Sequence, residues 1–356
     1  MISNMWINEE LAQAWWSTTA GPRLVIKEIE DSIRAGKCVA VDLPARDDSF
    51  RMVLEEKVRS HDSATAFFWF EAAKFTNHIA LEEFLFKKYA GNNAIPYGSK
   101  SKMEFLAKNC CFKQRVLFIY LDSVKQNWID NIAKTYCKFC KKDSGSIVFL
   151  GPVVQDVLTN HKNLNQVYLK SYISGYDVQF FSLQCLRKCG LKEKQCEYTS
   201  LLASKFSGCD GQLCSEISCQ EFYENPIHFL TSLSEDGMHE SLKEKYIEKQ
   251  KRLYSLVWTA QLQMILPITE MVRRYLIEKH YNALKYSSFS NPFDMELRHI
   301  KHEYVDNGGS FTPNTDEYDW FMLAYDCRNE LAHNKILTND VIDKMFVICN
   351  EIEKTY

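Results

Sequence analysis

The sequence predicts an α/β domain on a parallel sheet, followed by an all-helical C-terminal part. Three observations carry this. In the first half, short apolar or β-branched runs at 37–43, 66–70, 115–122 and 146–152 alternate with helix-period segments, the pattern of strands joined by crossover helices. From residue 196 onward the apolar residues fall at three- and four-residue steps, the period of helices. The 356 residues are 46% hydrophobic and 13% aromatic, enough for a substantial core in two or three domains.

In chain order, 5–35 reads as helical, broken at 17–22 by Ser-Thr-Thr-Ala-Gly-Pro. Leu24, Ile26, Ile29 and Ile33 then mark a helix ending at Gly36. A buried strand at 37–43 leads through Pro44-Ala45-Arg46-Asp47-Asp48-Ser49 into a helix carrying Phe50, Val53, Leu54 and Val58. A strand at 66–70, a helix at 78–89, a turn at Gly91-Asn92-Asn93 and a helix at 101–109 follow. The strongest strand is 115–122, ending in Asp122. A helix at 123–141, a strand at 146–152 and a fifth strand at 178–183 complete the sheet. Crossovers of this length place helices on both faces of a parallel sheet.

Strand, loop and helix at 37–58 have the layout of a P-loop nucleotide site. The chemistry is absent. A phosphate-wrapping loop needs glycines, then Lys, then Ser or Thr for magnesium. LPARDDSFR has neither Gly nor Lys, and Asp47 and Asp48 stand where phosphate would sit. Only Arg46, Ser49 and Arg51 favour an anion, so ATP hydrolysis is not expected and no cofactor is assigned. Asp122 ends its strand as a Walker B carboxylate does, but without a second acid, and reads better as a cap or loop residue. The order of elements resembles a degenerate AAA+ or STAND-type NTPase core, which implies an NTPase-like module over 1–195. Residues 196–236 then read as helical lid and linker, and 237–356 as a helical bundle.

In the bundle, a long helix is expected over 239–280, kinked or split at Pro267, with Leu256, Ala260, Met264, Ile268, Met271, Tyr275 and Leu276 on its apolar face. Glu270 and Arg273-Arg274 read as a solvated face or, as the less favoured alternative, part of an RNA groove. A helix at 295–304 carries the basic cluster Arg298, His299, Lys301 and His302. A loop at 307–313 precedes the next helix, and a final helix spans 339–354 with Val341, Met345, Ile348 and Ile352 inward.

A net charge of −3 gives no overall field toward nucleic acid, so RNA contact needs a local basic patch. The N-terminus lacks a basic region before an apolar run, and no segment reaches the ~18 apolar residues of a membrane span. Thirteen cysteines without a secretory signal read as reduced thiols of a cytoplasmic protein. Cys137 and Cys140 form a CxxC, the spacing of half a zinc site or of a redox pair, but no second pair repeats the spacing. Incidental buried thiols fit better than a zinc site, and no metal ligands are assigned. No hydrolase elbow and no dinucleotide fingerprint occur.

The stretch Tyr325-Asp326-Cys327-Arg328-Asn329-Glu330-Leu331-Ala332-His333-Asn334 carries the functional signal. Trp320, Leu323, Ala324, Cys327, Leu331 and, after a break, Ile336 form a helical apolar stripe. Asn329 and His333 lie one turn apart on one face, with Arg328 beside them. A guanidinium can hold two phosphate oxygens. An imidazole can take or give a proton near neutral pH, and an amide can bond phosphate or orient the imidazole. Such a set suits phosphodiester cleavage with a ribose 2′-hydroxyl as nucleophile, which restricts the substrate to RNA. The same residue types also suit an ordinary solvated helix end.

The string RNELAH resembles the Arg-x4-His signature of the HEPN family, with Asn directly after the Arg, over roughly residues 240–356. The resemblance implies an antiparallel helical bundle whose motif helix pairs with its copy in a homodimer, forming one composite site. It implies a metal-independent endoribonuclease of a prokaryotic defence or toxin-type system. Arg328 would contact the phosphate, Asn329 support it and His333 act as acid or base. RNA is then the substrate, and the NTPase-like module the regulator or dock for a protein partner. The alternative is a non-catalytic dimerisation or adaptor protein in a defence complex.

Overall fold

Five strands pair in parallel in the order β2-β3-β4-β1-β5. They are β1 (Cys38–Asp42), β2 (Ala66–Glu71), β3 (Arg115–Tyr120), β4 (Ser146–Gly151) and β5 (Leu164–Tyr168). In the computed structural model the described residues are 9–43, 47–91, 101–122, 125, 127–151, 163–235, 242, 246–284, 289–302 and 315–355. Arg46, the Asn92-Asn93 turn, Pro152, Asp236-Gly237, the expected start of the long helix and the 307–313 loop lie outside them.

Both faces of the sheet are covered, which is why the inner strands read as near-continuous apolar runs. On one face, Cys38, Ala40, Leu117, Ile119, Ile147 and Phe149 pack on Leu81, Leu85, Leu106, Ile129, Ile132 and Tyr136. Those partners come from α4 (His78–Tyr89), α5 (Lys102–Lys108) and α6 (Asn127–Phe139). On the other face, α3 (Asp48–His61) sends Glu55 to accept from the Trp69 indole at 2.8 Å. There Trp69 stacks on Phe118 with ring centroids 3.8 Å apart.

Two sequence expectations fail in this half. Residues 178–183 are not a strand but part of helix α8 (Gly175–Leu186). Val178, Phe181 and Leu186 are buried at steps of three and five. A short apolar run does not by itself separate strand from helix. The fifth strand is instead β5, paired on β1 from Cys38↔Leu164 to Asp42↔Tyr168. Its polar Asn165 hid it, and that amide donates to Glu28 and Ser32 of the helix α2 (Ala20–Arg34) at 2.7 and 2.8 Å. Gly21 and Pro22 open α2 (Ala20–Arg34) instead of lying in a break. Pro in a helix's first turn lacks only an N–H that has no helical partner there.

The described chain divides into two compact units. One is Met1–Phe181 with Cys209–Ser215; the other is Ser182–Gly208 with Glu216–Tyr356. The division differs from the expected boundaries at 195 and 236, because α9 (Glu193–Ser207), α11 (Gln220–Glu224) and α12 (Pro226–Glu235) fall with the C-terminal helices. In this second unit, Tyr198 of α9 is 1% exposed and meets Tyr223 and Phe346 edge-on.

A 30-residue helix, Gln250–Lys279, runs unbroken through Pro267, so the expected split does not occur. Pro267 is exposed, on the side where water can satisfy the carbonyl that loses its partner. The buried face is offset from the expected one: Leu253, Val257, Ala260, Ile265, Ile268, Val272 and Leu276 point inward, with Gln261 and Thr269. The motif helix spans Asp316–Ala332 and the final helix Asn339–Glu353, whose inward set is Ile342, Met345, Phe346, Ile348, Cys349 and Ile352. Among the described residues no helix is long and apolar enough to cross a membrane.

Candidate functional site

The motif helix buries Phe321, Ala324, Cys327 and Leu331, a three- and four-step stripe facing the long helix. Trp320 and Leu323, expected inside, are half-buried, and Leu337 takes the place expected for Ile336. Burial pushes the Cys327 thiol up to about 12, with Asp326 adding to the shift. The thiol therefore stays protonated and serves as packing.

The helix ends at Ala332. His333 is its cap, at φ −92° and ψ 17°, and Asn334 turns left-handed at φ 59°. Asn334 N–H donates to Leu331 O at 3.1 Å, and Lys335 N–H to Glu330 O at 3.0 Å. These two bonds make a Schellman ending, for which Asn is the usual second choice after Gly. Two side chains of the long helix hold this end. The Trp258 indole donates to Leu331 O at 2.8 Å. The buried Gln261 amide accepts from Leu337 N–H at 2.7 Å and donates to Leu337 O at 3.0 Å.

Asn329 and His333 remain one turn apart: His333 N–H donates to Asn329 O at 3.0 Å. The His333 side chain is exposed and Asn329 half-buried. Arg328 points elsewhere. Five residues along a helix is roughly 140° around its axis, and the Arg328 guanidinium meets Glu296, Nη2 to Oε2 at 3.3 Å. Arg328 lines a cavity of about 260 Å³ with Glu270, Arg273, Glu296 and Leu297, which neither Asn329 nor His333 lines.

Spacing did not reveal the company of Arg328. Arg273, expected on a solvated face, donates to Glu270 at 2.8 and 2.6 Å and to the carbonyls of Phe293 and Met295 at 2.8 and 2.7 Å. Its hydrogen bonds are the main cause holding the Glu270 carboxyl below its ordinary range, with the charges of Arg274 and Arg328 adding to them. The expected basic cluster adjoins the motif helix. Arg298 Nε lies 3.3 Å from Glu296 Oε2, and Lys301 sits 5.9 Å from the Tyr325 ring. His299 Nδ1 accepts from Glu296 N–H at 3.1 Å, so it is a cap of the short helix Leu297–Ile300. A Glu just before the basic run was the one available sequence signal.

The other candidate lies beyond the carboxyl end of β1, where open parallel sheets bind ligands. There Asp47 caps α3, accepting from Ser49 N–H and Phe50 N–H at 2.9 and 3.0 Å. Its other oxygen takes the Trp16 indole at 2.7 Å. The first-turn N–H groups that would hold a phosphate already hold this carboxylate. Asp122 likewise accepts from Lys125 N–H at 3.0 Å, as a capping residue does.

Cys137 and Cys140 are buried at the end of α6. Cys140 donates to Cys137 O at 3.4 Å and to Gly36 O at 3.7 Å. Burial raises the Cys38 thiol and hydrogen bonding to Cys137 raises it further, which keeps it protonated in this core. Among the described residues no group of three or more His, Cys, Asp or Glu side chains is arranged to hold a metal ion.

No protein-family model matches the chain, and the curated proteins contain no match to it. Two solved structures of the Aeropyrum pernix ORC2 protein align with it, one in ADPNP-ADP complexes and one in the ADP form. They cover 94% and 91% of this chain and 93% of each of their own, at 10% identity, with TM-scores of 0.32 and 0.29. At those scores the likeness carries no argument about this chain, whose demonstrated class is a five-stranded parallel sheet with helices on both faces, followed by helices.

Proposed function

We propose that the chain is a metal-independent endoribonuclease of the HEPN type, working in a prokaryotic defence or toxin-type system. One observation carries the reading. Arg328 and Asn329, half-buried, and the exposed cap His333 close a helix whose packing is done by other residues. Arg298 and Lys301 add local positive charge beside Arg328, as RNA contact needs in a chain of net charge −3.

In mechanism, the imidazole of His333 takes the proton of the ribose 2′-hydroxyl, whose oxygen attacks phosphorus, or donates a proton to the departing 5′-oxygen. Arg328 stabilises the charge that builds on the phosphoryl oxygens, and Asn329 supports it. Arg328 and His333 diverge around one helix. A homodimer through the C-terminal helices, with acid from one copy and base from the other, therefore fits the chemistry better than one copy alone. The parallel-sheet module, its anion position filled by Asp47, acts in this reading as a regulatory dock without nucleotide turnover.

Total RNA incubated with the protein, with and without EDTA, tests the assignment. Wild type gives EDTA-resistant products. Arg328→Ala and His333→Ala each lose at least about 100-fold in cleavage rate, at the lower range for acid–base and charge-stabilising groups, while eluting at the wild-type size. Equal cleavage by all three rejects it. The second reading, a non-catalytic adaptor, draws on the Schellman ending, which gives Asn334 a structural use. It expects no products under any condition.

A further inference from the structure

The contact between Arg328 and Glu296 gives the proposed phosphate-binding residue an internal competitor. Arg328 Nη2 meets Glu296 Oε2 at 3.3 Å, with side chains 40% and 47% exposed. Among the described residues this is its one ion pair, held by a single prong, so Nε and Nη1 stay open. The neighbouring pair is built differently: Arg273 grips Glu270 with two prongs and two backbone carbonyls besides. Arg273 is locked, whereas Arg328 is loosely tethered. Oε2 of Glu296 is shared with Arg298 Nε, also at 3.3 Å.

We propose that Glu296 is a clasp on Arg328, a built-in carboxylate that holds the guanidinium until an RNA phosphodiester displaces it. The proposal rests on the reading of Arg328 as a phosphate contact. Its physics is ion exchange: a guanidinium accepts carboxylate and phosphate through the same N–H groups. A phosphate arriving at Arg328 meets the charge of Glu296 at close range. The clasp lowers RNA affinity and favours partners that supply several phosphates at once, some of them to Arg298 and Lys301. Glu296→Gln separates charge from geometry, since the amide oxygen still accepts from Arg328 while the repulsion is gone.

The test uses the full chain and a 2′-O-methyl RNA oligonucleotide, which lacks the nucleophile and stays intact. Binding is read by fluorescence anisotropy for wild type, Glu296→Gln, Glu296→Asp, Arg328→Ala and the Glu296→Gln/Arg328→Ala double variant. Glu296→Gln binds about fivefold tighter, the size of removing one unit charge roughly 6 Å from a phosphate in a largely solvated setting. Glu296→Asp stays within about twofold of wild type, because the charge is kept. In the Arg328→Ala background the gain from Glu296→Gln falls below about twofold, as coupled residues require. Glu296→Ala, expected to move in the same direction, replaces the Gln variant if that one unfolds.

Unchanged or weaker binding by the charge-removing variants overturns the proposal. So does an equal gain in both backgrounds, which would make Glu296 a general repulsive charge, and so does an absence of binding by every variant. Cleavage of unmodified RNA, scored separately, bears on the ribonuclease reading alone. A coupled affinity change without cleavage would keep the clasp and discard the nuclease.

Discussion

Gln261 shows how one side chain can set the geometry of a site it does not enter. It is 2% exposed and satisfies both backbone groups of Leu337, three residues past the left-handed turn at Asn334. Without it, a buried N–H and a buried C=O lose their partners. Gln261→Ala is therefore expected to cost about 2–4 kcal/mol, two unsatisfied buried groups at ~1–3 each with partial relief from water. Urea denaturation reads this as a lower midpoint at unchanged slope. A change under about 0.5 kcal/mol, the usual range for surface substitutions, would show that the pair is not holding the turn. At this scale the sequence was only partly readable. Arg328, Asn329 and His333 were singled out from spacing and from the RNELAH string; the i to i+4 step keeps Asn329 and His333 one turn apart, while Arg328 turns to Glu296. Glu296 and Gln261 act across 32 and 76 residues, and no local periodicity encodes such partners.

The ending of the motif helix carries the same lesson for elements. Asn329 and His333 read as sharing one helix face, yet the last residue in the helix is Ala332 and His333 is its cap. Asn at a helix end is a known stop signal, and here Asn334 adopts the left-handed conformation that closes the Schellman bonds. Asn334→Gly is expected to be neutral within ~0.5 kcal/mol, since Gly takes that conformation without strain. Asn334→Val is expected to cost about 1–2 kcal/mol, because a Cβ-branched side chain clashes there. Thermal unfolding separates the two, and equal effects would mean the turn relaxes into another shape. Elements were otherwise well marked where propensity and burial agreed, as in β3, whose RVLFIY core is buried at four successive positions. They were misread where an apolar run was short, as in α8, or a strand was polar, as in β5. In both, tertiary partners decided what local pattern left open.

For the whole molecule, the order of elements suggested a helical lid from residue 196 belonging to the sheet module, but α9, α11 and α12 fall in the C-terminal unit. Chain order misleads there because these helices pack on residues more than a hundred positions later. Gln195 and Tyr223 both donate to Asp343 Oδ1, at 2.7 and 2.5 Å. Asn339 donates to the carbonyls of Tyr223 and Glu224 at 2.6 and 2.7 Å, and Lys194 lies 3.7 Å from Glu353. A fragment of residues 237–356 would lack all of these. It would also lose Tyr198, whose burial against Phe346 compares with large aromatic core truncations of about 3–5 kcal/mol. Since domains hold only about 5–15 kcal/mol in total, that fragment is expected to lack a cooperative melt. A fragment of residues 182–356 keeps α9, α11 and α12 and is expected to melt cooperatively. Circular dichroism of the two decides it: a cooperative transition in the shorter fragment would make residues 237–356 an independent bundle after all. The proposed nuclease would then need nothing from the helices before it.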